Sequence, residues 1–204
     1  MTKDKNQREI EGHNARERLL DAGTTLFSEK GYASTTVREI VDHAGVTKPV
    51  LYYYFKSKEG LFRAILDGAS QDQDALLSRV IQMTGTVLDR LISLYRGINH
   101  GVMENRDLFK MIHNLIFGPP QGTPEYDLDR YHQGMVTAIK TIYREGLERD
   151  EVIQADPEDV AMLILGLMDF SFHLDCVFPG SRHPGRAEEL LRLTFHGLRK
   201  REEK

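Results

Sequence analysis

Residues 31–62 read GYASTTVREIVDHAGVTKPVLYYYFKSKEGLF and predict two short helices joined by a tight turn at 44–46. Thr36 and Glu39 have the spacing of a capping box, in which each side chain bonds the other residue's backbone amide, so the first helix begins after Thr36. Gly45 closes it, because glycine readily adopts the left-handed conformation that follows a helix end. The segment therefore has the pattern of a helix-turn-helix.

The second helix of this motif has two different faces. Thr47 precedes it, and Pro49 is tolerated in its first turn, where a backbone amide would have no helical partner. The inner face is apolar and consists of Leu51, Tyr54 and Phe55. The outer face presents hydroxyl, ammonium and small apolar groups, contributed by Thr47, Lys48, Pro49, Val50, Tyr52 and Tyr53.

An outer face of this composition suits the major groove of DNA. Hydroxyl and ammonium groups donate to phosphate oxygens, and Lys48 and Thr47 can also reach base edges. The helix starts at Thr36 and Lys58 predict two further phosphate sites, and residues 45–58 carry three lysines and no acid. The predicted DNA-binding residues are Thr36, Arg38, Thr47, Lys48, Pro49, Val50, Tyr52, Tyr53 and Lys58.

The overall composition is that of a globular protein. The chain has 204 residues, 40% of them hydrophobic, and a net charge of −4. Its longest apolar segment, 160–174, is interrupted by Asp169, which argues against a membrane span, and the charged N-terminus argues against a signal peptide. A single cysteine, Cys176, suits a reducing compartment. We therefore expect a cytoplasmic protein.

Apolar residues recur at helical spacing along the whole chain and predict an all-α fold of about nine helices. The sequence Thr123-Pro124-Glu125 has the cap, proline and acid of a helix start, and the segment 118–122 before it is predicted to be a loop. Beyond the motif, the predicted helices cover about 58–83, 86–103, 106–117, 123–148, 157–178 and 186–199.

The motifs GYxxTTVREI and AGVTKxxLYYYFKSKExLF resemble the DNA-binding region of the TetR/AcrR family of bacterial transcriptional regulators, over about 50 residues from Ala15 to Leu66. The resemblance implies an N-terminal three-helix DNA-binding domain at 1–62, with its helix-turn-helix at about 36–55, and a helical ligand-binding and dimerisation domain at 63–204. It also implies a homodimer that binds double-stranded DNA at a palindromic operator. Pro49-Val50 replaces the small or glycine residue of many relatives, which predicts different base contacts.

The function that follows is transcriptional regulation rather than catalysis. We expect a repressor that is released from its operator by a small, largely apolar effector. Control by a protein partner is the alternative that keeps DNA binding. A small helical enzyme using Asp169 and His173, four residues apart on one helical face, is a third possibility. No activated nucleophile or phosphate loop accompanies that pair.

The second domain supplies candidates for dimerisation. The helix at 157–178 is apolar nearly all round, so it needs cover on every side. A four-helix bundle built from the last two helices of both chains would provide that cover, although an intrachain core is the alternative. The predicted interface residues are Leu163, Leu167, Leu190, Leu191, Thr194, Phe195 and Leu198.

The effector pocket is predicted from side chains that are expected to face inward without being simple aliphatics. They are Tyr95, His100, Met103, Met111, Asn114, Phe117, Tyr131, Met135, Ile139, Asp169, Phe170 and His173. Asp169 lies among apolar residues, so its carboxylate needs a partner, either a cationic ligand or a nearby histidine, arginine or amide. The eight histidines lack ligand spacing, and we predict no metal and no cofactor.

Overall fold

A computed structural model describes the backbone of residues 2–118, 122–177 and 186–198, and the side chains of 14–118, 122–172, 186 and 188–197. This part of the chain forms nine α-helices, as the sequence predicts. They are α1 (Thr2–Lys30), α2 (Val37–Ala44), α3 (Lys48–Phe55), α4 (Lys58–Gln82), α5 (Val87–Glu104), α6 (Arg106–Phe117), α7 (Leu128–Glu148), α8 (Pro157–Val177) and α9 (Arg186–Leu198). Within these residues no helix is long and apolar enough to cross a membrane.

The chain separates into two compact units. The first contains Met1–Gln71 and Asn105–Tyr126, and the second contains Asp72–Glu104 and Asp127–Lys204. Helix α4 contributes residues to both. The sequence predicts a boundary between residues 62 and 63 that separates the DNA-binding domain from the effector-binding domain. This functional boundary stays a prediction.

Helix α6 belongs to the first unit because it packs against α1. The Thr25 hydroxyl donates to the Asp107 carboxylate at 3.0 Å, and Met111 and Ile112 of α6 are buried. The core of this unit includes an aromatic cluster in which Phe27, Tyr32 and Phe62 lie 5.0 to 5.6 Å apart between ring centroids. This packing attaches the segment that leads into the helix-turn-helix to α1 and α4.

The second unit contains a buried arginine. Arg90 of α5 is 1% exposed. Its guanidinium donates to the carbonyl oxygens of Val80 and Ile81 in the last turn of α4, and to the carboxylate of Glu145 on α7. Since the last carbonyls of a helix have no partner within it, Arg90 caps α4 and links it to two neighbouring helices.

The start of α7 differs from the prediction. The helix begins at Leu128 and not at Thr123-Pro124-Glu125. Asp127 is its N-cap, with a side-chain oxygen that accepts from the Arg130 amide at 3.0 Å. Tyr126, just before the cap, donates its hydroxyl to Asp67 of α4, which holds the preceding segment outside the helix. A tertiary contact therefore overrides the local start signal.

Candidate nucleic-acid interface

The two helices of the motif are fixed by their ends and by a shared apolar core. The capping box is present: the Glu39 amide donates to the Thr36 hydroxyl, and the Thr36 amide donates to the Glu39 carboxylate. Gly45 adopts the left-handed conformation with φ of 61°. The amide of the next residue, Val46, returns to the Val41 carbonyl at 3.0 Å. These contacts define the turn that orients α3.

Helix α3 is divided by face as the sequence predicts. Leu51 and Phe55 are 0% and 6% exposed, whereas Tyr52 and Tyr53 are 46% and 72% exposed. Thr47, Lys48 and Pro49 are also exposed, and Val50 and Tyr54 are half-buried. Thr47 is the N-cap residue, but its side chain makes no capping bond. The outer face thus displays several polar groups in one short helix.

The end of α3 is held by Lys56. This residue has a positive φ of 67°, and its ammonium donates to the Tyr53 carbonyl at 3.1 Å and lies 5.9 Å from the Tyr53 ring centroid. Sequence reasoning missed this contact, although a lysine at a helix C-terminus is a known capping signal. It adds a positive charge beside the most exposed tyrosine.

The start of α2 is a compact polar network. Lys30 donates to Glu39 at 2.8 Å, and the Thr36 hydroxyl donates to the same carboxylate at 2.8 Å. Hydrogen bonds from Lys30 and from the Thr36 amide and hydroxyl lower the pKa of Glu39 to about 2. The Thr36 hydroxyl hydrogen is therefore engaged within the chain. A phosphate here would be met by the amides of Val37 and Arg38, which have no partner within the helix.

The remaining predicted DNA contacts have different surroundings. Arg38 is exposed and lies 3.6 Å from Asp42, an arrangement that leaves its guanidinium accessible. Lys58 is half-buried, and its ammonium donates to the carbonyls of Tyr32 and Thr35, each at 2.8 Å. Those two bonds use two of its three N–H donors.

The predicted effector residues are divided between the two units. Met111, Asn114 and Phe117 belong to the first unit. In the second unit, Tyr95 and Ile139 are buried, and Tyr131 and Met135 are half-buried. Five of the twelve were expected to face inward and are exposed instead: His100, Met103, Phe117, Asp169 and Phe170. The side chain of His173 lies outside the described residues.

The expectation that the chain encloses Asp169 among apolar residues is wrong. Its side chain is exposed on α8. Burial, and secondarily the charge of Asp169, raise the pKa of Tyr131, so the carboxylate does act on one neighbouring side chain. The error arose because α8 is apolar on its outer as well as its inner face, and sequence alone does not distinguish the two.

The predicted dimer residues divide in a similar way. Leu191 and Phe195 are buried within the chain, at 0% and 5% exposed, whereas Leu163 is 46% exposed. Leu167, Leu190 and Thr194 are half-buried, and Leu198 lies outside the described side chains. Three large side chains that the prediction omitted from the interface are prominently exposed on α8 and α9: Met162, Phe170 and Leu193.

The surroundings of titratable residues give no sign of a metal centre. Among the side chains that the structure describes, no group of three histidine, cysteine or acidic residues could hold an ion. In the helix-turn-helix, the side chains of Thr36, Glu39 and Lys56 make hydrogen bonds at helix ends, and α3 exposes polar groups on one side.

Comparison with known proteins agrees with this geometry. Residues 19–65 match the family model described as "Bacterial regulatory proteins, tetR family". The chain is 26% identical to the HTH-type transcriptional regulator YdgC of Bacillus subtilis, covering 92% of this chain and 94% of that protein. It is 47% identical over 57 residues to the HTH-type transcriptional repressor KstR2 of Rhodococcus jostii, 28% of each chain.

The fold is also found among solved structures. A gamma-butyrolactone receptor, described as an ArpA-like protein, superposes with a TM-score of 0.72 at 24% identity, covering 93% of this chain and 90% of the receptor. The relatives are regulators and not enzymes. The helix-turn-helix and the sequence matches together show that residues 19–65 form a DNA-binding region of the tetR family, and that the chain is a DNA-binding transcriptional regulator of this kind.

Proposed function

We propose that the protein is a repressor that binds a palindromic operator as a homodimer and is released by a small, largely apolar effector. The observation that carries this proposal is the outer face of α3, where polar and aromatic side chains remain exposed beside a fully buried Leu51. The residues proposed to meet DNA are Thr36, Arg38, Thr47, Lys48, Pro49, Val50, Tyr52 and Tyr53.

The charge distribution supports binding through two copies. The chain has a net charge of −4, and residues 1–60 hold 10 lysines and arginines against 9 acids, a net of +1. Because the chain as a whole is acidic and residues 1–60 carry so little net positive charge, its affinity for DNA must come from local contacts. We call α3 the recognition helix. Two recognition helices, one from each chain of a dimer, held one DNA turn of about 34 Å apart would double the number of those contacts.

The exposed apolar residues of α8 and α9 support the dimer. Met162, Phe170 and Leu193 are 59%, 60% and 67% exposed. Met162 and Phe170 lie on α8 and Leu193 lies on α9, which packs against α8, and a contiguous patch of large exposed apolar side chains marks an interaction surface. We propose that these residues, with Leu163, are the part of the two-fold bundle that each chain offers to its partner, while Leu191 and Phe195 hold α9 to its own chain.

The effector proposal rests on the second unit and on the relatives. Tyr95, whose ring stacks on Phe172 at 5.7 Å, lies with Tyr131, Met135 and Ile139 among the predicted pocket residues of that unit. The gamma-butyrolactone receptor in the comparison is named for a small ligand. An effector that prefers one spacing of the recognition helices would release the operator.

A gel-shift series on the DNA upstream of the protein's own coding region tests the DNA-binding part. We expect saturable binding at a palindrome that weakens steeply as salt rises, since phosphate contacts release counterions. Lys48→Ala should weaken binding, whereas the same change at exposed Lys110 of α6 should not. Absence of saturable, salt-sensitive binding at every palindrome would contradict the proposal.

Substitution of Phe170 tests the dimer. Phe170→Asp should convert the protein to monomers in native mass spectrometry, because a carboxylate in the interface would lose its water. Phe117→Asp is the matched control, since Phe117 is 63% exposed but lies on α6. The interface assignment is wrong if Phe170→Asp remains dimeric, or if Phe117→Asp dissociates equally.

A further inference from the structure

We propose that Lys58 is a positioning residue that holds the start of α2 in place for DNA, and that it does not bind a phosphate itself. This inference rests on the proposed function, because it concerns how the α2 N-terminus is presented to an operator. It gives a role to a lysine that a sequence motif alone would assign to the DNA backbone.

The contacts of Lys58 point back into the protein. Its ammonium lies 2.8 Å from the carbonyl oxygens of both Tyr32 and Thr35, and 4.1 Å from the centroid of the Tyr32 ring. Burial also lowers the pKa of its ammonium. An ammonium with two carbonyl partners and an aromatic face has exchanged part of its water for protein contacts.

The segment that Lys58 holds, residues 32–35, leads directly into the capping box. Within it, the Thr35 amide donates to the Tyr32 carbonyl at 3.3 Å. The Thr35 side chain is 1% exposed, and its hydroxyl is placed to donate to the carbonyls of Leu26 and Gly31. The backbone of segment 32–35 is thus hydrogen-bonded to α1 through Thr35 and to α4 through Lys58, and the Tyr32 ring also packs on Phe62 of α4.

These attachments determine where the free amides of α2 lie. The next residue, Thr36, is the N-cap, and the amides of Val37 and Arg38 follow it. If Lys58 released its two carbonyls, segment 32–35 would keep its hydrogen bonds to α1 and the packing of the Tyr32 ring on Phe62, but its backbone would lose its hydrogen bonds to α4. The amides that follow it would then be held less firmly in position. Lys58 would then contribute to affinity through geometry and not through a released counterion.

The salt dependence of binding distinguishes the two roles. Each lysine–phosphate contact contributes about 0.9 to the slope of log affinity against log salt, or about 1.8 for two chains. We compare the wild type, Lys58→Met and Lys48→Met on a duplex that the wild type selects from random DNA, between about 50 and 200 mM salt. Lys58→Met should lower affinity roughly tenfold with an unchanged slope, whereas Lys48→Met should reduce the slope.

Amide hydrogen exchange supplies a second readout that does not need DNA. In Lys58→Met the Thr35 amide should exchange faster while the Leu51 amide of α3 keeps its wild-type rate, since general destabilisation would accelerate both. Lys58→Gln, which keeps a neutral N–H donor, should recover part of the Thr35 protection and of the affinity. It also serves if Lys58→Met does not fold.

The proposal is overturned if Lys58→Met or Lys58→Gln reduces the salt slope by about 1.8. It is equally overturned if Thr35 exchange and affinity stay at wild-type values in both variants. A wild type that binds no DNA saturably would refute the proposed function. In that case Thr35 exchange alone still shows whether Lys58 holds segment 32–35.

Discussion

Replacing Gly60 by alanine should disturb the recognition helix, because there is no room for a β-carbon between the end of α3 and the start of α4. An ideal β-carbon at Gly60 would lie 1.9 Å from the Phe55 carbonyl oxygen. Real β-carbons essentially never approach other heavy atoms below 3.0 Å. The difference, 3.0 minus 1.9, means that the two backbones must separate by at least 1.1 Å.

The expected cost has two parts. Insertion of a methyl group into packed structure typically destabilises a protein by about 1–3 kcal/mol. A shift of 1.1 Å in α3 also exceeds the range over which a hydrogen bond keeps its geometry. Loss of one charge-assisted bond per chain costs about 1.5 kcal/mol, which is about tenfold in affinity for each half-site.

The same substitution at Gly68 provides the control. Gly68 lies in α4 too, but its β-carbon would meet no atom within 4 Å, so alanine should stabilise the helix by about 0.5–1 kcal/mol. Thermal unfolding and fluorescence anisotropy with labelled operator DNA measure both effects. The reasoning is refuted if Gly60→Ala unfolds and binds like the wild type, or if Gly68→Ala shows the same loss.

Three further substitutions test the contacts at helix ends, and a fourth, Arg96→Ala, serves as a control. Arg90→Ala should lower the free energy of unfolding, measured by urea titration, by about 2–4 kcal/mol, because two carbonyls at the end of α4 lose their donor. Arg96→Ala removes the ion pair of exposed Arg96 with Glu188 and should cost at most about 1 kcal/mol in the same titration. Thr36→Ala should cost about 1 kcal/mol by removing a helix cap, and an unchanged urea midpoint would show that the capping box adds nothing. The pKa of Glu39 is about 2 in the folded chain and 4.5 ordinarily. A carboxyl whose pKa is lowered by folding stabilises the folded state at pH values above its ordinary pKa. This contribution is lost as the pH falls from 4.5 towards 2. Glu39→Gln should therefore flatten the acid side of the pH–stability curve, and an identical curve for both proteins would contradict the assignment.

The helix-turn-helix was predictable from sequence because its signals are local. A capping box, a glycine in the left-handed conformation and a two-faced helix each depend on neighbours a few residues away, and the structure confirms all three at Thr36, Gly45 and Leu51. The sequence also predicts the bounds of α6 correctly.

The features that sequence reasoning missed depend on distant partners. The start of α7 depends on Tyr126 reaching Asp67, and the placement of α6 in the first unit depends on the contact of Asp107 with Thr25. Asp169 was assigned to the interior because α8 shows no polar face in its sequence. Packing against distant residues decides which apolar face of a helix is buried within the chain and which stays exposed. Such contacts leave no pattern in the local sequence.

The stoichiometry of the DNA complex tests the central claim most directly. Native mass spectrometry of the protein on its selected palindromic duplex should show two chains per duplex, and half of a palindrome should be bound far more weakly. Phe170→Asp should lose the two-chain complex while keeping its fold. A stable complex of one chain per duplex, or equal affinity for half and whole palindromes, would contradict the account.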